Sequence, residues 1–236
     1  MTGVAEIAEL LRTRRARRTP FIVGVTGAVA VGKSTFAAEL AAAIAAWPGA
    51  PAVEVVATDG FLFPNAVLQG RGLLNRKGFP ETYDGAALRA ALAGVRQGPA
   101  SFPTYSHVLY DVDPALARRL ERPDLLIVEG LGLQEGAAAL GLDALIYLDA
   151  DEVDIEAWFE ARFIDLWRAA EHEPASFYAR FRHMDEAQTR ALAGQVWQAI
   201  NLPNLREHIV HGRDVADLVV RKGPDHQVQS LSERAP

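Results

Sequence analysis

The chain has 236 residues, 30 acidic against 24 basic side chains, a formal charge of −6 and no cysteine. Disulfides, thiolate metal sites, iron–sulfur clusters and a cysteine nucleophile are excluded, and the negative balance argues against nucleic acid as a partner. Half the residues are hydrophobic and 23% are charged, a globular composition able to fill one large core. No uncharged apolar run reaches the ~18 residues that cross a bilayer, and no apolar signal core opens the chain, so no membrane association and a cytoplasmic location are expected.

Residues 1–20 read as a short basic arm. Val4, Ile7, Leu10 and Leu11 have helical spacing, and Arg12, Arg14, Arg15, Arg17 and Arg18 follow as a cluster. Arginines suit the C-terminal dipole of a helix, and the sharper alternative is that one of them contacts a phosphate. Residues 21–236 read as one domain. Phe21–Val25 is a buried strand, followed by a glycine-rich loop and a helix from about Gly32 to Trp47 with Phe36, Leu40 and Ile44 as its core stripe. Val53–Ala57 is the second strand, residues 59–84 are mostly loop, and Gly85–Gln97 is a helix. Strands follow at Leu125–Val128 and Leu145–Leu148, helices at 152–170, 175–200 and 204–210, and a last strand at Ala216–Arg221. This alternation predicts an α/β fold, a doubly wound parallel sheet flanked by helices.

Gly27-Ala28-Val29-Ala30-Val31-Gly32-Lys33-Ser34 fits GxxxxGK[ST] between a strand and a helix. The spacing wraps backbone N–H groups around phosphates at a helix N-terminus. Lys33 can reach the β- and γ-phosphates, Ser34 can ligate Mg²⁺, and Thr35 beside it is counted with the ATP-binding residues. The motif says nucleoside triphosphate and leaves the reaction open. Ligands of doubly wound sheets bind at the carboxyl ends of the strands, where Asp59 and Glu129 fall. Asp59 is placed to accept a hydroxyl proton, and Glu129 to hold Mg²⁺ directly or through water. Capping of the following turns is the structural alternative for both. The acidic run Asp149, Asp151, Asp154 and Glu156 does not fit a calcium loop and reads as a helix start.

Arg162 lies on the aromatic stripe of its helix, near Trp158 and Phe159, and needs an anion: an internal carboxylate or one on a ligand. Pro103–Asp111 gathers Tyr105, Ser106, His107, Tyr110 and Asp111 in a loop, a density of hydrogen-bonding groups that suits a polar small molecule or an internal network. Arg76-Lys77 lies in a loop able to close over phosphates, with solvation as its alternative.

With these segments in order, the chain resembles the bacterial type I pantothenate kinases. The resemblance runs from about Phe21 to Val228, through GVTGAVAVGKST (24–35), TDGFLFPN (58–65), RKGFPETYD (76–84), PTYSHVLYD (103–111), PDLLIVEGL (123–131), WFEARF (158–163), INLPNL (200–205) and KGPDHQV (222–228). It implies transfer of the ATP γ-phosphate to the primary hydroxyl of pantothenate, with Mg²⁺, in the first step of coenzyme A synthesis. It implies Asp59 as catalytic aspartate, Lys33 and Ser34 at the phosphates and Mg²⁺, and His226 near the adenine. Tyr105, His107, Tyr110, Arg162 and Asn201 would line the acceptor pocket, with Arg162 toward the substrate carboxylate. It further implies a homodimer and inhibition by CoA species competing with ATP. Four positions depart from the family pattern. Phe159 stands where members often have a substrate-bonding tyrosine, Leu166 and Glu171 replace aromatics of the pocket wall, and Ala38 replaces a basic residue. The region before the phosphate loop is shorter than is typical of members. A sister kinase of the uridine kinase and phosphoribulokinase group, with a nucleoside or sugar acceptor, is the alternative enzyme; a P-loop regulatory protein is the alternative of another class.

Overall fold

The computed structural model describes residues 3–15 and 18–234. Helix α1 (Val4–Arg14) buries Ile7, Ala8 and Leu11 in the same core as the central sheet. Strand β1 (Phe21–Gly27) is buried at every residue, as an apolar run covered on both faces must be. Helix α2 (Lys33–Ala45) buries Phe36, Ala37, Leu40 and Ile44, each larger side chain contributing roughly 1.5–3 kcal/mol. Strand β2 (Val53–Ala57) follows, then helix α3 (Asn65–Gly70) inside the stretch expected to be loop, and helix α4 (Gly85–Gln97), capped by Asp84 accepting from the Ala87 N–H.

Strands β3 (Ala100–Ser106) and β4 (Asp111–Leu120) form an antiparallel hairpin where a loop was expected. Two prolines hid it: Pro103 has no N–H to donate, and the ladder shifts register there, between Phe102 and Thr104. Strand β5 (Leu125–Glu129), short helix α5 (Ala137–Leu140), strand β6 (Ala144–Asp149) and helix α6 (Glu152–Ala169) follow. The helix expected over 175–200 is broken. A 3₁₀ turn spans Phe177–Phe181, and α7 (Glu186–Val196) starts afresh on a capping box between Asp185 and Gln188. Beyond α7 the helical path continues to Ile209 through π-type turns at Trp197–Asn201 and Leu205–Ile209. These flank Pro203, which cannot supply an intrahelical N–H. Strands β7 (Leu218–Lys222) and β8 (Val228–Glu233) close the sheet; β8 is short, polar and exposed, and its alternation did not stand out in the sequence.

The sheet order is β2-β5-β1-β6-β7-β8, parallel throughout except for β8. The strand order reverses around β1, so a crevice opens at the carboxyl ends of β1 and β5, above Gly27 and Glu129. No helix among the described residues is long and apolar enough to cross a membrane.

The described arginines of the basic arm meet carboxylates. Arg12 pairs with Glu9, Arg14 with Glu233, Arg15 with Asp124 and Arg18 with Asp143. Asp124 and Asp143 precede β5 and β6, at the end of the sheet opposite the phosphate loop. Arg17 lies outside the described residues.

Candidate active site

The phosphate loop is shaped by backbone conformations that side chains resist. Gly27 has φ 142° and Gly32 φ 87°; a Cβ on Gly27 would lie 2.4 Å from the Leu148 carbonyl oxygen. Ala30 adopts φ 67° although it carries a Cβ. Helix α2 starts on Gly32 with no side-chain cap and no acid in its first turn, Lys33-Ser34-Thr35, so its N–H groups and dipole are left for an anion. The Lys33 ammonium donates to the carbonyls of Ala28 (2.8 Å) and Gly27 (3.2 Å). Desolvation lowers its pKa, opposed by the charges of Glu129 and Asp59.

Two segments distant in sequence brace this loop. Lys222, only 7% exposed at the end of β7, donates to the Val31 carbonyl (3.0 Å). Beyond it, His226 takes φ 63° and stacks on Trp158, with centroids 3.8 Å apart, while the Trp158 indole N–H donates to the Pro224 carbonyl. His226 thus stands on the phosphate-loop side of the β7–β8 turn, and α6 is tied to that turn.

Ser34 and Glu129, paired in the sequence reading as metal ligands, meet: the Ser34 hydroxyl donates to Glu129 Oε1 at 2.9 Å. Burial raises the Glu129 pKa, and Lys33 and Ser34 oppose the shift. The Thr58 hydroxyl is buried without a partner among the described residues, against Gly130, where a Cβ would come within 1.9 Å of it. One carboxylate, one hydroxyl and an unsatisfied hydroxyl nearby suit Mg²⁺, which binds few protein oxygens and retains waters that need acceptors and donors.

Asp59 sits in the turn after β2, partly buried. The Tyr83 hydroxyl donates to its Oδ1 at 3.1 Å. The β3–β4 hairpin is pressed onto the same turn at Gly60, where a Cβ would lie 2.0 Å from the Pro103 carbonyl oxygen. That contact delivers Tyr105 and, around the tip, His107 and Tyr110. Tyr105 meets His107 and Tyr110 edge to face (5.2 and 6.0 Å), and Tyr110, held at φ 55°, stacks on Phe177 at 4.2 Å. The His107 imidazole is held below its usual pKa by desolvation and the Arg162 charge, against Asp59.

The basic pair separates. Arg76 pairs with Glu81 and lies over the Phe79 ring at 3.8 Å. Lys77 turns inward, donating to Asn65 Oδ1 and the Tyr110 carbonyl, both at 2.6 Å, and lies over the rings of Tyr105 and Tyr110. Desolvation lowers its pKa to about 8, opposed by Asp111 and Asp59. Arg162 is exposed on α6, and its charge acts on Lys33, Glu129 and His107. Among the described residues no carboxylate lies within 4.0 Å of it, so the internal-salt-bridge alternative is not realised. Phe159 turns instead to Phe163 and Trp197, into the packing beneath the helix.

Asn201 ends a π-type turn, half-buried, and among the described residues no side-chain hydrogen bond ties it to this group. One helical turn later Asn204 is buried and donates to the Gly78 carbonyl (2.9 Å), next to Lys77; its Oδ1 has no partner among the described residues. Tyr83, Asn204 and Lys222 were missed as site residues, although all three lie in segments that carry the family resemblance. Only pairing across the fold sets them apart.

No family model matches the chain. Curated relatives do: a pantothenate kinase of Sorangium cellulosum is 45% identical over 230 residues, covering 94% of this chain and 75% of that protein. One of Streptomyces coelicolor is 44% identical over 229 residues, covering 92% and 70%. Among solved structures, a fructose transport system kinase candidate from Silicibacter sp. TM1040 aligns with TM-score 0.72 at 24% identity, over 92% of this chain and 96% of that one. A D-glycerate 3-kinase of Cryptococcus neoformans aligns with TM-score 0.64 at 14% identity, over 98% and 99%. The structures establish the P-loop kinase fold; the relatives establish that the chain belongs to the pantothenate kinase family.

Proposed function

We propose that the chain phosphorylates the primary hydroxyl of pantothenate with ATP, the entry step of coenzyme A synthesis. The observation that carries this reading is the 42–45% identity to pantothenate kinases over nearly the whole chain. The triphosphate lies along residues 27–35, with His226 at its base and Lys33 against the β- and γ-phosphates. Ser34, and Glu129 directly or through water, would hold Mg²⁺, which would supply neutralisation of phosphate charge. The acceptor lies among Tyr105, His107, Tyr110, Arg162 and Asn201, its carboxylate on the unpaired Arg162 guanidinium. Asp59 takes the hydroxyl proton as that oxygen attacks the γ-phosphorus; the bond to the β–γ bridging oxygen breaks and ADP departs. Lys33 and Lys77 oppose the negative charge that spreads over the transferring group.

We further take residues 21–236 as one kinase domain behind the arm 1–20, the enzyme as a cytoplasmic homodimer, and CoA as an inhibitor competing with ATP. Ala38, exposed on α2, offers no charge to a CoA phosphate, so inhibition is expected to be weak. Light scattering and a CoA titration at varied ATP test these two points.

The experiment for the reaction is ADP release from Mg-ATP with pantothenate, uridine, fructose, glycerate or no acceptor. Turnover with pantothenate alone supports the reading. Turnover with another acceptor in place of pantothenate overturns it.

A further inference from the structure

Asp59 has two carboxylate oxygens, and a base that must meet one hydroxyl in line with a phosphoryl group cannot be free to rotate. Its own backbone does little to prevent rotation, because it sits in a single 3₁₀ turn, Thr58–Phe61. The restraint comes from elsewhere in the chain. Tyr83 donates its hydroxyl to Oδ1 at 3.1 Å, leaving Oδ2 for the acceptor.

Tyr83, partly buried, is itself held by its neighbours. Residues 79–84 run antiparallel to the segment after Asp59: the Phe63 N–H donates to the Thr82 carbonyl (2.9 Å), the Asp84 N–H to the Phe61 carbonyl (2.8 Å), and Leu62 pairs with Tyr83. Next to it, buried Thr82 donates to the Phe79 carbonyl and accepts from the Gly78 N–H. The Tyr83 ring lies against Gly132, where a Cβ would be 3.7 Å from it. The loop that turns Lys77 toward the acceptor therefore also delivers the hydroxyl that orients the base.

We propose that Tyr83 is a positioning residue for the phosphoryl transfer: its hydroxyl holds one oxygen of Asp59 so that the other faces the acceptor hydroxyl. The inference rests on Asp59 being the base. Lys33, Lys77, Glu129, His107, Tyr105 and Tyr110 also face Asp59 electrostatically, so the test must isolate the Tyr83 hydroxyl from these groups.

Tyr83→Phe removes one oxygen and keeps the ring. The expected result is a fall in kcat of about 10–100-fold, the range for a lost hydrogen bond to a charged group. KM for ATP stays within about twofold, and the acid limb of kcat moves to higher pH, because the carboxylate loses a bond that favours its charged form. In an Asp59→Asn background the same substitution changes the residual rate less than about twofold. Equal losses in both backgrounds, or a raised KM for ATP with kcat retained, overturn the proposal and make Tyr83 a structural residue. If Tyr83→Phe does not fold, 3,5-difluorotyrosine at this position keeps the shape and strengthens the donor. The acid limb then moves to lower pH, and an unmoved limb overturns the proposal. Asp59→Ala, assayed beside these, separates the failures: activity within a few-fold of wild type refutes Asp59 as base, whatever Tyr83 does.

Discussion

At the two ends of the parallel sheet, the charges around β1 and β5 are used in opposite ways. At the amino ends of the strands the named cations have partners. Asp143, its side chain 3% exposed, accepts from Arg18, Arg96 and the Ile22 N–H, while Arg15 faces Asp124 and Arg14 meets Glu233. At the carboxyl ends, Lys33, Lys77 and Arg162 converge on Asp59 and Glu129, yet among the described residues none has a carboxylate within 4.0 Å. We propose that the cations left without a carboxylate around Asp59 and Glu129 serve a substrate anion, whereas Lys222 braces the loop through the Val31 carbonyl. A paired cation holds the fold. Sequence type does not distinguish them, and the carboxyl ends hold both kinds: at β6 and β7, Arg213 and Arg221 pair with Asp149, and Arg221 also with Asp151.

The largest expected effect breaks the carboxyl-end group itself. Asp59→Ala should lower kcat about 10³-fold, within the range of a lost general base, with ATP affinity measured by calorimetry unchanged. Activity within a few-fold would make Asp59 a turn-capping residue.

Lys77 gives an intermediate effect with a pH signature. Its ammonium is lost as pH rises through about 8, so kcat/KM should fall on that alkaline limb. Lys77→Arg, whose guanidinium stays charged, should move the limb to higher pH. The stability consequence has the opposite sign. Between about 8 and 10.5 the unfolded chain binds more protons at this site, so this group's contribution to stability rises with pH there. A limb near 8 that persists in Lys77→Arg would assign it to another group.

The smallest effect on catalysis belongs to the other end. Asp143→Ala should leave kcat and both KM values within about twofold. It should cost about 2–3 kcal/mol of stability, roughly 5–10 °C in melting temperature, because Arg96 and the Ile22 N–H lose their acceptor. A catalytic defect without lower stability would contradict the division between the two ends.

Legibility in the sequence followed the same division between local and long-range structure. The phosphate loop is contiguous, and its glycines, lysine and flanking strand and helix could be read directly. Strand β2 fell on its predicted bounds, and Glu129 was found because a buried strand ended in an acid. The proposed acceptor side is assembled from 59, 77–83, 105–110 and 159–162, which only tertiary packing unites. The prolines of the β3–β4 hairpin suppressed the strand signal at 100–120. Nothing local shows that Arg76 turns out to Glu81 while Lys77 turns in. Nor does local sequence mark Asn204 over Asn201 as the residue that reaches the Lys77 loop, or Lys222 as the cation beneath Val31.

The most direct measurement compares pantothenate with its neutral analogue, in which the carboxylate is reduced to an alcohol, as acceptors for wild type and Arg162→Ala. If Arg162 is kept for the acceptor anion, wild type favours pantothenate in kcat/KM by about 10–100-fold, the worth of a charge-assisted bond, and the variant treats the two within about threefold. An unchanged preference for pantothenate in Arg162→Ala would show that the unpaired cations at the carboxyl ends do not read the acceptor.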